Sequence, residues 1–181
     1  IKMTTIIYAI KMCEVKIKIY QNDTKNIEIA IGKKPEFVII NASSDEGNAR
    51  YIKGKIKEGE KAGLIVEVVK LEEHCNNEDV LNIINRCNEE KIPVILQLPT
   101  FKHLDTKKLM ESINYDVDAD GFAREWIGEI NLGNDKKLAP ATPKGVISLL
   151  EQYKVDIEGK IALVIGKSNH VGKPLCTMLM N

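Results

Sequence analysis

The stretch Phe37-Val-Ile-Ile40 is a continuous apolar run, typical of a strand that is covered on both faces of a parallel sheet. Residues Asp45 to Lys61 follow with the spacing of a helix that ends near Gly63, and Leu64 to Leu71 forms a second apolar run. Strand, helix and strand in this order predict two parallel strands joined by a helix that packs on their sheet.

The same alternation continues through the middle of the chain. Three more elements are expected, namely a helix over Glu78 to Glu89 capped by Asn76 or Asn77, a strand over Ile92 to Leu98 ended by Pro99, and a helix over Leu104 to Ile113 capped by Asp105. The pattern therefore predicts an α/β fold with a parallel sheet that is covered on both faces.

The last third of the chain begins with a stretch, Asn114 to Ala141, that is expected to be irregular. Thr142-Pro143 predicts a helix start, with Thr142 as the cap and proline in the first turn, and this helix runs to Tyr153. Lys160 to Gly166 has the composition of a buried strand, and a helix is expected to begin near Gly172.

Composition excludes several classes of protein. The 26 basic and 26 acidic side chains cancel, so no bulk positive field favours nucleic-acid binding, and no apolar run is long enough to cross a membrane. The four cysteines lack the spacing of a disulfide framework or a metal site, which favours reduced thiols in a cytoplasmic protein without a structural metal; they are Cys13, Cys75, Cys87 and Cys176.

Tyr51 and Lys55 form the first candidate site. Residues four apart share one face of a helix, so the two side chains are expected to project together. A lysine held beside an aromatic ring and away from water has a lowered pKa and can exchange protons, whereas the alternative is a pair of ordinary surface residues. Gly54 and Gly59, in the same helix, indicate either close packing or a small side chain beside a ligand.

Two further candidates follow the predicted third strand. Gln97 stands at its carboxyl end, where open α/β sheets bind ligands, although the amide could equally tie down the loop at Pro99. In Asp118-Ala-Asp120-Gly121 a carboxylate could accept N–H groups of a heterocycle or bind a divalent ion, and an Asx turn is the structural alternative.

The fourth candidate is a glycine turn between a strand and a helix. In Gly166-Lys-Ser168-Asn-His-Val-Gly172 the small residues would let backbone N–H groups approach a phosphate, and Lys167 or Ser168 could face it. The spacing departs from G-x-G-x-x-G, so this pattern alone is a weak signal.

Taken together and in order, these motifs resemble the bifunctional methylenetetrahydrofolate dehydrogenase/methenyltetrahydrofolate cyclohydrolase family. The resemblance runs from about Gly32 to the end of the chain. Its six matching stretches are Gly32-Lys-Lys-Pro-Glu-Phe-Val-Ile-Ile40, Tyr51-Ile-Lys-Gly-Lys55, Ile95-Leu-Gln-Leu-Pro99, Asp118-Ala-Asp-Gly-Phe122, Pro140-Ala-Thr-Pro-Lys-Gly145 and Gly166-Lys-Ser-Asn-His-Val-Gly-Lys-Pro174.

The resemblance implies a parallel-sheet α/β catalytic domain over residues 1–139, followed by the first part of a Rossmann-type NAD(P)-binding domain over residues 140–181. Folate would lie in a cleft between them. By position, Tyr51 packs on the pterin and aminobenzoate, Lys55 is the catalytic lysine with Gln97 as its partner, and Asp120 holds the pterin ring. Leu98 and Gly121 complete the substrate site, and the cofactor site begins with Gly166, Lys167, Ser168 and Gly172.

The implied activity is oxidation of 5,10-methylenetetrahydrofolate with NADP, followed by hydrolysis of the methenyl product to 10-formyltetrahydrofolate. Tetrahydrofolate derivatives are then the small-molecule partners, a homodimer is implied, and NAD is the alternative cofactor because lysine replaces the usual arginine at Lys167. Other departures are Asn48 for serine, Ala119 for valine and Ala141 for cysteine.

Family members continue well beyond residue 181, so the chain is expected to bind NADP poorly or not at all. One alternative is a folate-binding module, or an inactive truncated homologue, without turnover. Another is an unrelated dinucleotide-binding protein, but it needs an acidic residue about 20 positions beyond the glycine turn, and the chain stops first.

Overall fold

The computed structural model describes residues 7, 9–134 and 139–181, which form two compact units. We call residues 17–123 the sheet unit, and the described residues of 1–16 and 124–181 the helical unit. The elements are, in chain order, α1 (Ile10–Ile31), β1 (Glu36–Asn41), α2 (Glu46–Ala62), β2 (Ile65–Lys70), α3 (Asn77–Glu90), β3 (Val94–Leu96), α4 (Thr106–Glu111), α5 (Arg124–Asn131), α6 (Ala141–Gln152) and α7 (Gly172–Met180).

The sheet unit contains a parallel three-stranded sheet in the order β2-β1-β3. This confirms the three strands expected from the apolar runs in this part of the chain and the α/β class. The register sets Ile39 beside Val68 on one side and beside Ile95 on the other. The central strand is therefore the one with the most continuous apolar run.

Side chains of β1 alternate between two cores. Val38 and Ile40 pack in a cluster with residues of α3, including Val80 and Ile84, whereas Ile39 packs with Ile95 and with Ile52 of α2. Helices thus cover both faces of the sheet, as the sequence predicts. All of these residues are nearly or completely buried.

Side-chain caps begin α2, α3 and α4 in the sheet unit, and those at α3 and α4 confirm the prediction from sequence. Asp45 accepts a hydrogen bond from the backbone N–H of Asn48 at 3.0 Å, and α2 ends at Gly63 with φ 94°, a conformation that favours glycine. Asn76 forms a capping box at α3, and Asp105 caps α4. The Asp45 cap sets where α2 begins, and so fixes which residues of that helix face the sheet.

The two helix glycines have different surroundings. A Cβ at Gly59 would lie 2.7 Å from Cγ2 of Val66, so glycine is required there for close packing of α2 on β2. At Gly54 no atom of the described residues outside the helix's own nearby backbone lies within 4 Å of such a Cβ. Close packing therefore explains Gly59 and does not explain Gly54.

Three expectations for the helical unit are wrong. Residues 124–131, expected to be irregular, form α5. The cap position of α6 is Pro140, whose ring carries no hydrogen-bonding atom, and Thr142 lies inside the first turn. Residues 160–166 are not a strand, because no strand in the described residues pairs with them, and Ile161 and Ile165 are almost fully exposed.

The helical unit has a small core of its own. Ile130 of α5, Ala139 and Met178 of α7 are buried together, and the Asn181 side chain donates to the carbonyl oxygen of Ile130 at 2.7 Å. The helix expected near Gly172 is confirmed as α7. Within the described ranges, no helix has the length and apolar character needed to span a membrane.

Candidate active site

The Nζ of Lys55 donates a hydrogen bond to Oε1 of Gln97 at 3.0 Å. Lys55 extends from α2, and Gln97 directly follows β3 at the carboxyl edge of the sheet. Gln97 is buried, and its Nε2 donates to the carbonyl oxygen of Leu98 at 3.0 Å. The two bonds fix the carboxamide so that its oxygen faces the lysine.

Asp120 completes the cluster. Its Oδ1 lies 4.0 Å from Nζ of Lys55, and the two side chains are only partly exposed. Burial lowers the pKa of Lys55, and the negative charge of Asp120 opposes that shift by favouring the ammonium form. A lysine whose pKa is lowered accepts and donates a proton more readily near neutral pH, which is the property that general acid–base catalysis needs.

The loop that carries Asp120 is shaped by Asp118. The buried carboxylate of Asp118 accepts backbone N–H groups from Asp120 at 3.1 Å, Gly121 at 3.1 Å and Ala123 at 2.7 Å. The loop also runs beside β3, since the N–H of Ala119 donates to the carbonyl oxygen of Val94. The Asx-type turn expected as the structural alternative therefore belongs to Asp118, and it directs Asp120 toward Lys55.

Asn48 is a residue of this region that the sequence singled out only as a departure from the family. It is 2% exposed, and its Nδ2 donates to the carbonyl oxygen of Pro99 at 2.9 Å. The Leu98–Pro99 peptide bond is cis. Because Asn48 and Lys55 stand seven residues apart on α2, they share one helix face and hold the segment from Gln97 to Pro99 at two points. The seven-residue spacing of Asn48 and Lys55 is therefore the feature of the sequence that could have indicated this role of Asn48.

Tyr51 lies one turn before Lys55 on α2, and it is 69% exposed. Its ring is thus available to contact a planar molecule. Leu98 is half-buried beside Gln97, and Gly121 is buried within the Asp118 turn. The structure therefore brings Lys55, Gln97 and Asp120 into one cluster. Across residues 7, 9–134 and 139–181, no three potential metal ligands are grouped to hold an ion.

The glycine turn lies in the helical unit, directly before α7. Gly166 has φ 147°, and a Cβ at Gly172 would overlap its carbonyl oxygen, so both positions require glycine. The Ser168 hydroxyl accepts the N–H groups of Val171 at 3.1 Å and Gly172 at 3.3 Å. Ser168 thus caps the turn, while Lys167 is exposed. A tight turn at a helix N-terminus suits the phosphates of a dinucleotide.

The family model for the tetrahydrofolate dehydrogenase/cyclohydrolase catalytic domain matches residues 9–120. The chain belongs to the tetrahydrofolate dehydrogenase/cyclohydrolase family. The model for the NAD(P)-binding domain of the same family matches residues 140–181. The match to the catalytic domain starts earlier than the motifs traced from Gly32, so it includes α1.

Relatives in this family resemble most of the chain. The bifunctional protein FolD of Listeria innocua is 35% identical over 152 residues, which cover 83% of this chain and 53% of that protein. The crystal structure of the bifunctional FolD enzyme from Campylobacter jejuni matches with TM-score 0.84 and 33% identity, over 92% of this chain and 60% of that one.

A more distant structure shares the fold. The FolD enzyme of Trypanosoma brucei, solved with NADP and an inhibitor, has TM-score 0.89 at 23% identity and covers 98% of this chain and 61% of that one. The chain spans about half the length of the curated relatives that it matches.

Proposed function

We propose that this chain carries the folate-binding catalytic centre of a methylenetetrahydrofolate dehydrogenase/methenyltetrahydrofolate cyclohydrolase, which interconverts one-carbon units on tetrahydrofolate. The observation that carries the proposal is the bond of 3.0 Å between Lys55 Nζ and Gln97 Oε1, with Asp120 at 4.0 Å. Family membership and the lowered pKa of Lys55 support the same assignment.

In the hydrolytic step, water attacks the methenyl carbon and transfers one proton to neutral Nζ of Lys55. The bond from that carbon to one ring nitrogen then breaks, the nitrogen takes up a proton, and the oxygen gives up its second one. One proton is released overall, and the product is 10-formyltetrahydrofolate. Gln97 keeps Nζ oriented through its oxygen, and Asp120 tunes the proton affinity of Nζ.

Substrate binding is assigned to the same cluster. Tyr51 would stack on the flat pterin and aminobenzoate rings, as its exposed ring allows. The carboxylate of Asp120 would accept N–H groups of the pterin, and Leu98 and Gly121 would line the same site. Stacking by Tyr51 and hydrogen-bond acceptance by Asp120 suit the pterin, a flat heterocycle that carries several N–H donors.

The dehydrogenase step uses a nicotinamide cofactor, which supplies the acceptor for the hydride that leaves the methylene bridge. Gly166, Lys167, Ser168 and Gly172 would hold its phosphates, because they form the tight turn that precedes the N-terminus of α7. We assign NADP, with NAD as the alternative, because lysine pairs with a 2′-phosphate as a point charge and lacks the fork of arginine.

The remaining assignments follow from family resemblance and composition. We place the catalytic domain at residues 1–139 and the start of the cofactor domain at residues 140–181, in keeping with the two family models. We also propose a cytoplasmic homodimer without nucleic-acid partners. The four free cysteines support the cytoplasmic location, and the balanced charge supports the absence of nucleic-acid partners.

The test is titration of the chain with tetrahydrofolate, together with the loss of methenyl absorbance when methenyltetrahydrofolate is added without cofactor. The wild-type chain is expected to bind tetrahydrofolate and to speed hydrolysis. Tyr51→Ala should bind about three- to tenfold more weakly, because one aromatic stacking contact is lost. Tyr20→Ala, which removes another exposed tyrosine of the sheet unit, is the control and should bind like wild type. Absence of both binding and hydrolysis in the wild-type chain would contradict the proposal.

A further inference from the structure

Asn41 is the last residue of β1, and it presents a buried hydrogen-bond acceptor without a partner. The residue is 8% exposed, and its Oδ1 has no hydrogen-bond partner among the described residues. Its backbone carbonyl oxygen is occupied, since it accepts the N–H of Leu71 at 2.9 Å. Only the side-chain oxygen therefore lacks a donor.

The sheet register places Asn41 next to Gln97. Ile39 pairs with Ile95, and the N–H of Gln97 donates to the carbonyl oxygen of Ile40 at 2.9 Å. Two residues further along each strand, Asn41 and Gln97 are neighbours at the carboxyl edge of the sheet. Since strand side chains alternate, both lie on the face of Ile39 and Ile95.

That face is the one that α2 covers. Ile39 and Ile95 pack with Ile52 of this helix, and Lys55 reaches Gln97 from the same helix. The oxygen of Asn41 thus stands on the same side of the sheet as the Lys55–Gln97 pair, one strand away. It does not belong to the opposite core beneath α3.

The sequence changes from apolar to polar at this point. Val38, Ile39 and Ile40 are completely buried, and a further aliphatic residue at position 41 would bury no unpaired acceptor. A buried polar atom without a partner lowers stability, so each such atom in a native protein needs an explanation, and contact with a ligand is one. The other such atom in the described residues, Nε of Arg86, belongs to a guanidinium already paired with Glu67.

We propose that Oδ1 of Asn41 accepts a hydrogen bond from an N–H or O–H group that enters the Lys55–Gln97 cluster with the folate substrate. This inference rests on the proposed function. The donor is either an N–H of the pterin or the water that attacks the methenyl carbon. A neutral amide suits this position, because it accepts a hydrogen bond without adding a negative charge that would raise the pKa of Lys55.

The experiment compares the wild-type chain with Asn41→Leu, which removes the acceptor and keeps side-chain size. Tetrahydrofolate affinity, the rate of methenyltetrahydrofolate hydrolysis and the urea unfolding midpoint are measured. A pterin donor predicts about ten- to hundredfold weaker tetrahydrofolate binding. A water donor predicts unchanged binding and a similar loss in kcat of hydrolysis. In both cases the unfolding midpoint should stay equal or rise, because an unpaired acceptor has been removed.

Asn88→Leu is the matched control. Asn88 belongs to α3, which packs on the opposite face of the sheet, and its Nδ2 donates to the Ser112 carbonyl while its Oδ1 accepts the Asn114 N–H, both at 2.9 Å. This variant should lower the unfolding midpoint and leave tetrahydrofolate binding and hydrolysis unchanged. Asn41→Leu is therefore expected to change binding or hydrolysis without lowering the unfolding midpoint, whereas Asn88→Leu is expected to lower the unfolding midpoint alone.

Wild-type binding and hydrolysis in Asn41→Leu would overturn the inference. If Asn41→Leu does not fold, Asn41→Thr and Asn41→Val form a second pair, since they share a shape and only threonine keeps an oxygen acceptor. Threonine is expected to bind or turn over substrate better than valine, and equal behaviour would overturn the inference. A wild-type chain that binds no tetrahydrofolate would refute the proposed function itself, and this inference with it.

Discussion

The side-chain amide of Asn48 donates to the carbonyl oxygen of Pro99 at 2.9 Å, so the first turn of α2 is tied to the loop that follows β3. Two turns later on the same helix, Lys55 bonds to the side chain of Gln97. Helix α2 therefore holds the segment from Gln97 to Pro99 at two points, the side chain of Gln97 and the backbone of Pro99. Small shifts of that segment would change the distance from Nζ to Gln97.

Asn48→Ala is expected to lower the free energy of unfolding by about 1–3 kcal/mol, because it leaves the carbonyl oxygen of Pro99 without its donor and removes buried contacts. Hydrolysis should fall as well, since Gln97 is held less firmly. Urea unfolding and the methenyl absorbance assay measure the two effects. Asn131→Ala removes an exposed amide in the helical unit and should change stability by less than about 0.5 kcal/mol. Equal behaviour of the two variants would contradict the role assigned to Asn48.

Gly59→Ala and Gly54→Ala should shift stability in opposite directions, although both put alanine into the same helix. At Gly59 the new methyl group would press on Val66, and overpacking of this kind costs about 1–3 kcal/mol. At Gly54 the methyl group meets open space, and the higher helix propensity of alanine should add about 0.5–1 kcal/mol.

Urea unfolding of both variants tests this pair. The prediction fails if Gly59→Ala is as stable as the wild-type chain. Tetrahydrofolate binding by Gly54→Ala is informative as well. A loss of affinity without a loss of stability would indicate that glycine is needed there beside the ligand, which is the alternative that the sequence left open.

Local signals in the sequence were sufficient for most of the sheet unit. Asn76 and Asp105 were recognisable as caps, because each satisfies N–H groups within three residues of itself. The apolar run at Phe37 to Ile40 was recognisable as a central strand, because burial on both faces needs no polar alternation. These features depend on neighbours in the chain.

Features that depend on distant residues were not predictable in the same way. The bond from Asn48 to Pro99 spans 51 positions, and it can be seen only once the strands are paired. Residues 160–166 have strand composition, yet a strand forms only where a neighbouring strand supplies its hydrogen bonds.

Helix α1 was missed because apolar residues such as Ile19 and Ile29 are exposed on it, so its pattern has no clear buried stripe.

The pH dependence of hydrolysis should respond to Asp120. Hydrolysis needs neutral Lys55, so the rate rises with pH through the pKa of this lysine. Asp120 raises that pKa, against the larger lowering caused by burial. In Asp120→Asn the pKa of Lys55 should therefore fall further, and the rising limb of the kcat profile should move to lower pH.

Asp116→Asn serves as the control for this shift, because Asp116 is paired with Lys91 elsewhere in the sheet unit. Its kcat profile should coincide with that of the wild-type chain. A rising limb that moves to higher pH in Asp120→Asn would contradict the electrostatic role given to this carboxylate.

The central claim is that Lys55 transfers the protons of hydrolysis, and the most direct measurement is the rate of methenyltetrahydrofolate hydrolysis by Lys55→Met. Methionine keeps much of the length of the side chain and cannot accept a proton, and Lys57→Met is the control because Lys57 is exposed on the same helix. Lys55→Met is expected to lose at least about a hundredfold in rate, with tetrahydrofolate binding retained and Lys57→Met fully active. Hydrolysis by Lys55→Met at the wild-type rate would contradict it.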